Sequence, residues 1–151
     1  MKKIYNDYIK RFCDLVLSLI GIIISSPIFL IVAVAIKIDS RGPVLFKQDR
    51  IGKDGKVFKI YKFRSMIVGA ENTGSKNYSF KGDPRVTKVG KFIRATSIDE
   101  LPQLINILKG DMSVVGNRPL PLYEAELLTS DEYIERYMAP SGLTGLWQVE
   151  K

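Results

Sequence analysis

Histidine is absent from the 151 residues, and cysteine occurs once, at Cys13. Without His the chain lacks the commonest general base and the commonest neutral metal ligand; a lone Cys excludes an internal disulfide and a Cys-based zinc cluster. Any catalysis therefore runs on carboxylates, Lys, Arg, Tyr or hydroxyl groups. What is plentiful is apolar and basic: 46% of residues are hydrophobic, and 23 Lys+Arg against 16 Asp+Glu leave a formal net charge of +7. The length suits one domain and not two. A positive balance points to an anionic partner such as nucleic acid, phospholipid or a phosphorylated substrate. The charge is uneven, since residues 1–66 sum to +8 and residues 67–151 to −1.

The basic part also holds the most apolar stretch. Residues 15–36, LVLSLIGIIISSPIFLIVAVAI, contain no charge and 15 Leu, Ile, Val or Phe. At a few tenths of a kcal/mol per strongly apolar residue, their summed insertion term is on the order of −6 kcal/mol, so the segment is expected to enter a membrane. A cleaved signal peptide has a shorter apolar region, of about 7 to 15 residues, although Ala33-Val34-Ala35 imitates a cleavage site. A straight span is open by length, because about 20 helical residues cross the hydrocarbon core. The remaining reading is a re-entrant hairpin, with two half-length helices meeting at Ser25-Ser26-Pro27, where Pro27 removes a backbone donor and Ser hydroxyls satisfy the freed groups. Lys2, Lys3, Lys10 and Arg11 precede the run; Lys37, Arg41, Lys47, Arg50 and Lys53 follow it. Positive flanks stay in the cytoplasm, so charge on both sides favours the hairpin over the span.

Ser40-Arg41-Gly42-Pro43 is a breaker cluster and divides the chain into residues 1–40, a membrane anchor, and residues 41–151, a cytoplasmic domain. In residues 44–66, Asp54-Gly55 separates two β-branched and aromatic runs, the usual signal of a short β-hairpin. Lys47, Arg50, Lys56, Lys59, Lys62 and Arg64 alternate there with aromatics. Such a strip can bind nucleic acid, lie against anionic lipid heads, or be a solvated face; the neighbouring anchor favours lipid or a membrane-bound phosphate. Residues 67–82 are polar and Gly-rich and read as a loop. Gly90-Lys91 is not the end of a phosphate loop, which would need Gly where Arg85 stands and Ser or Thr where Phe92 stands. The fold expected is α+β and mostly helical: an anchor, a short hairpin and amphipathic helices.

Leu101, Leu104, Ile105 and Leu108, stopped by Gly110, predict a helix over residues 99–109. A cap at Ser97 would put Pro102 at the fifth position, where an intrahelical bond is lost, whereas a cap at Asp99 puts it at the third, where the donor is free anyway. A carboxylate at a helix N-terminus sits among free N–H groups and stays ionised. Arg94 and Arg118 can supply the positive clamp that phosphoryl transfer needs, and Glu100 could hold Mg²⁺, which takes one or two carboxylates plus substrate phosphates. On spacing alone, Asp99 as an ordinary cap and Glu100 as an ordinary first-turn acid stay open. Thr129-Ser130-Asp131-Glu132 looks like a capping box, and Tyr133, Ile134, Tyr137 and Met138 predict a short amphipathic helix behind it.

These residues together resemble a family. Ser26-Pro27 in an apolar N-terminal helix, the run from Lys59 to Met66, Asp99-Glu100-Leu101-Pro102-Gln103-Leu104, Lys109-Gly110-Asp111-Met112-Ser113, Val115-Gly116-Asn117-Arg118-Pro119 and Gly142-Leu143-Thr144-Gly145 are similar, in order and spacing, to motifs of the bacterial sugar transferases. These are monotopic phosphoglycosyl transferases of the cytoplasmic face of the bacterial inner membrane. The resemblance implies transfer of a sugar 1-phosphate from a UDP-sugar to polyprenyl (undecaprenyl) phosphate with release of UMP, which starts polysaccharide or glycoprotein glycan assembly. It implies Asp99 as nucleophile, forming an aspartyl phosphosugar, and Mg²⁺ held by Glu100 and Asp99. It also implies a re-entrant helix broken at Ser26-Pro27.

Arg118 and Pro119 match the second and third positions of a Pro-Arg-Pro motif associated with the nucleotide, with Asn117 in place of the first proline. Arg94, Lys59, Lys62 and Arg64 match basic positions that face phosphate. The partners implied are the lipid, the UDP-sugar and the membrane, with no nucleic acid; homo-oligomerisation stays open. In relatives Gln-Val is followed by Gly-Arg and further elements, whereas this chain ends at Lys151, so C-terminal elements are expected to be missing. A non-catalytic membrane-bound scaffold for other glycan enzymes is the alternative from another class, and a nucleic-acid-binding protein a third.

Overall fold

A computed structural model of the chain describes residues 2–69, 82–116, 119–121 and 140–144. Helix α1 runs from Lys2 to Asp39. It is followed by strand β1 (Leu45–Ile51), a 3-10 turn (Lys53–Gly55) and strand β2 (Val57–Phe63), then by helix α2 (Lys88–Ala95), a second 3-10 turn (Ile98–Glu100) and helix α3 (Gln103–Lys109). Three short strands close the order: β3 (Ser113–Val115), β4 (Leu120–Pro121) and β5 (Gly142–Thr144). The expected hairpin is present. Its tip places both Asp54 (φ 60°) and Gly55 (φ 74°) in the left-handed region, which Asp and Gly tolerate better than other residues. One three-stranded sheet has the order β2-β1-β4, with β4 antiparallel to β1 (Arg50 opposite Pro121), and β3 pairs parallel with β5 (Ser113 opposite Gly142).

The fold is mostly helical, with one long apolar N-terminal helix and a small hairpin. Helix α1 is continuous through Pro27, so the expected interruption takes the form of a proline inside one helix, not a loop between two. Of the described residues, this helix alone is long and apolar enough to cross a membrane. Many of its apolar side chains face outward: Tyr8 is 74% exposed, Ile24 72% and Ile38 82%. An unburied apolar surface of that extent calls for a non-aqueous surrounding. The expected helix after Thr129 lies outside the described residues, as do residues 70–81 of the expected loop.

The chain forms two compact units. The first comprises Met1–Ile24, Lys47–Tyr61 and Pro102–Lys151, the second Ser25–Phe46 and Lys62–Leu101. The first has a core of Ile60, Leu104, Ile107 and Met112, flanked by Ile22, Phe58, Val114 and Leu143. A Cβ on Gly21 would lie 3.1 Å from Leu104 Cδ1, so a glycine at this position lets α1 and α3 approach. Below Gly21 the packed face of α1 turns polar. Asp14 is buried and accepts from Ser113 Oγ (2.7 Å) and Val114 N (3.1 Å), while Lys10 Nζ donates to Ser113 Oγ (2.6 Å) and the Val115 carbonyl (3.1 Å). Arg11 donates to the Ile107 and Leu108 carbonyls in the last turn of α3, where backbone donors run short and a cation is favoured. Asn106, fully buried, accepts from Tyr61 N and donates to the Lys59 carbonyl, so it fastens α3 to the edge of β2.

The second unit packs Val32, Ile36, Phe63 and Ile93 with Phe29, Val44, Leu45, Val89 and Ile98. The Phe29 and Phe63 rings meet at 5.2 Å between centroids, tilted by 60°, a favourable aromatic geometry. Polar contacts finish this core. Asp39, at the end of α1, accepts from Val89 N at 3.1 Å, and Arg64 clamps the chain just after α1.

Candidate active site

The second unit carries the Asp-Glu dyad, and its local chain path explains why. Thr87 caps α2, its Oγ1 accepting from Gly90 N at 2.9 Å. A Cβ on Gly90 would lie 2.0 Å from the Ser65 carbonyl oxygen, so only glycine lets α2 start against the end of β2. Seven residues after Gly90, Ser97 takes a left-handed conformation (φ 59°, ψ 15°) and turns the chain into the 3-10 turn that bears Asp99 and Glu100. For a non-glycine residue that conformation costs on the order of 1 kcal/mol, and such positions cluster at functional sites.

The helix expected to begin at Asp99 begins at Gln103, with Pro102 as its cap. The reason is the hydrogen-bond ladder. Glu100 N bonds to the Ser97 carbonyl and Leu101 N to that of Ile98, both three residues back; Pro102 has no N–H to continue, and the ladder restarts with Ile105 N on the Pro102 carbonyl. Asp99 is therefore not a helix cap. Its carboxyl is pushed above the ordinary value, first by burial and also by the neighbouring Glu100, against the opposing pull of Lys62 and Arg94.

Four of the residues singled out by sequence thus come together: Asp99, Glu100, Lys62 and Arg94. Lys62 Nζ stands 3.7 Å from Glu100 Oε1, with both side chains about a quarter exposed. Arg94, half-buried, is fixed through its Nε, which donates to Ser65 Oγ at 2.7 Å. Two adjacent carboxylates, one of them poorly solvated, beside an ammonium and a guanidinium can hold a phosphorylated ligand and attack it.

The others are placed elsewhere. Arg64 is buried, and its guanidinium donates to the Pro43 carbonyl (2.7 Å), Ser40 Oγ (2.7 Å) and the Ser40 carbonyl (3.1 Å). Lys59, in the first unit, is exposed and ion-paired with Asp49 at 3.0 Å. Pro119, also in the first unit, is buried, and its carbonyl accepts from Arg50 Nη1 at 3.0 Å. Arg118 lies outside the described residues. Ser26 and Pro27 are exposed positions within α1.

Sequence reading missed Ser65 and the pair of Asp83 and Arg85. Arg85 Nη2 and Asp83 Oδ2 meet at 2.6 Å, both side chains nearly inaccessible, and the guanidinium beside Asp83 holds its carboxyl down to about 2. An acid and a base two residues apart around Pro84 was the available signal.

Comparison with known proteins gives the family. The model described as "Bacterial sugar transferase" matches residues 5–151. The chain is 48% identical over 146 residues to the UDP-glucose:undecaprenyl-phosphate glucose-1-phosphate transferase of Klebsiella pneumoniae, covering 95% of this chain and 31% of that protein. It is 42% identical over 159 residues to the undecaprenyl-phosphate galactose phosphotransferase of Salmonella typhimurium, covering 95% and 33%. With a putative undecaprenyl-phosphate N-acetylgalactosaminyl 1-phosphate transferase of Bacillus subtilis it shares 50% identity over 111 residues, 74% of this chain and 62% of that one. The chain spans about a third of the length of the first two relatives. With a match over nearly its whole length, the chain belongs to the bacterial sugar transferase family.

Proposed function

We propose that this chain carries the anchor and catalytic machinery of a phosphoglycosyl transferase that moves a sugar 1-phosphate from a UDP-sugar to undecaprenyl phosphate, releasing UMP. The observation that carries the reading is the convergence of Lys62 and Arg94 on a half-buried Asp99 whose own solvation is poor. Desolvation makes a carboxylate a better nucleophile, and the two cations favour its ionised form. An oxygen of Asp99 attacks the phosphorus that bears the sugar, and the bond from that phosphorus to the UMP oxygen breaks. The products are an aspartyl phosphosugar and UMP. In the second step a phosphate oxygen of the lipid attacks the same phosphorus, the bond to Asp99 breaks, and the carboxylate is restored. Arg94 and Lys62 hold the phosphoryl oxygens in line and offset charge in the transition state. Arg118 and Pro119 are assigned to the nucleotide end of the donor, and Lys59 to the membrane-facing basic strip; Arg64 is assigned to the fold.

The donor set of Asp99 and Glu100 fits Mg²⁺, a hard cation that takes one or two carboxylates and completes its shell with water and substrate phosphate. Among the described residues no cluster of three such ligands exists, so a site dominated by substrate oxygens is the kind these residues could form. Bound there, the ion would neutralise diphosphate charge.

Residues 1–40 are proposed as a re-entrant anchor that leaves residues 41–151 on the cytoplasmic face of the inner membrane. The support is that basic residues flank the apolar run on both sides, Lys2, Lys3, Lys10 and Arg11 before it and Lys37 and Arg41 after it, and positive flanks stay in the cytoplasm. A helix crossing the bilayer would carry one of these basic clusters to the far side. The three relatives named above share undecaprenyl phosphate in their names and differ in the sugar, which supports the lipid acceptor. The test is UMP release from a panel of UDP-sugars in the presence of undecaprenyl phosphate. Release by the parent chain, lost in Asp99→Asn, is expected; equal turnover by the variant overturns the reading.

A further inference from the structure

Ser65 is a buried hydroxyl that the mechanism does not use, and every neighbour restrains it. Its carbonyl oxygen accepts from Thr87 N at 3.0 Å, and the missing side chain of Gly90 lets α2 close over that same oxygen. Its Oγ accepts the 2.7 Å bond from Arg94 Nε. An arginine in a half-open site has several rotatable bonds, and a bond at Nε fixes the plane of its guanidinium fork. Asp83 adds to this: Arg94 lies close enough to help lower its carboxyl, so Arg94 sits in the field of Asp83 as well as of Asp99.

We infer that Ser65 is the positioning residue for Arg94: its hydroxyl fixes the guanidinium in the orientation in which Arg94 meets the transferring phosphoryl group. The inference rests on the phosphoryl-transfer reading above. Ser65 itself touches no reacting atom, and it acts only through the Nε–H of Arg94. That makes it separable from a packing role, because a methionine at position 94 has no N–H to hold.

The test is a double-mutant cycle on UMP release by the full chain in detergent. Ser65→Ala is expected to lower kcat roughly ten-fold, which converts to about 1.4 kcal/mol. Ser65→Thr, which keeps the hydroxyl, is expected to restore most of it. In the Arg94→Met background, Ser65→Ala is expected to cost nothing further. If Ser65→Ala does not fold, Ser65→Cys, with a weakly accepting thiol, replaces it in the same cycle. An equal loss from the Ser65 variant in both backgrounds, or no loss with Arg94 present, overturns the inference while leaving the transfer reading intact. Parental turnover in Asp99→Asn overturns the transfer reading itself.

Discussion

Arg64 offers a clean separation between fold and chemistry, because its sequence context points to phosphate and its surroundings point inward. It is 5% exposed and makes three short bonds, to the Pro43 carbonyl, Ser40 Oγ and the Ser40 carbonyl, with a longer one to Met66 O at 3.5 Å. Arg64→Ala removes them together and leaves the Pro43 and Ser40 carbonyls without that donor. Charge-assisted bonds contribute about 1.5 to 3 kcal/mol each, but three from one guanidinium are not additive, and water entering the cavity recovers part, so a loss of about 3 kcal/mol is expected. In a chain of this size about 1 kcal/mol shifts Tm by roughly 2 to 4 °C, which puts the drop near 6 to 12 °C. Arg64→Lys keeps the charge but not the fork and should fall between. The assay is thermal melting in detergent beside the KM for the UDP-sugar, measured below the variant's Tm. An unchanged Tm with a KM raised several-fold would show that Arg64 reads phosphate, and the structural assignment would be refuted.

Two further predictions concern Asp99 and α1. Asp99 has a folded-state pKa above its ordinary 3.8, so between those two values the native state holds the extra proton and stability falls as pH rises through that window. Asp99→Asn should therefore melt a few degrees above the parent at pH 7 with a chelator present, the difference closing below about pH 3.8; a variant less stable than the parent at neutral pH contradicts this. For α1, single cysteines at positions 3 and 53 in a Cys13→Ser background should both resist a membrane-impermeant thiol reagent added from outside the cell, and labelling of either one sinks the re-entrant anchor.

Much of the fold was legible because its signals are local. Asp54-Gly55 between two β-rich runs gave the hairpin, and the uncharged run gave α1. The start of α3 was misread because helix periodicity and capping rules allow Pro102 at the third position, while the chain instead tightens into a 3-10 turn that proline then ends. Helix α2 is only eight residues long, with a glycine inside and Phe92 turned outward, so too few residues repeat for a period to mark it in sequence. Strands β3 and β5 are three residues each and pair across some thirty residues of chain, which local propensity does not register. In the candidate site, residue type and spacing singled out Asp99, Glu100 and Arg94, the basic strip and the family resemblance singled out Lys62, and the structure brings Lys62 beside Glu100. The guanidinium of Arg64, expected to face phosphate, bonds to Ser40 and Pro43, because a basic residue in a basic strip looks the same in sequence whether it faces solvent or the end of a helix. Ser65 lies within the Lys59–Met66 run, but residue type does not mark it out there, because its bond to Arg94 is long-range.

The most direct measurement is the intact mass of the full chain, purified in detergent and incubated with individual UDP-sugars and Mg²⁺ without acceptor lipid. The expected result is a mass gain of one phosphosugar, mapped to Asp99, absent in Asp99→Asn and discharged when undecaprenyl phosphate is added. A chain that releases UMP and transfers the sugar phosphate to lipid without acquiring this adduct, or whose Asp99→Asn variant still acquires it, would contradict the role of Asp99 as nucleophile.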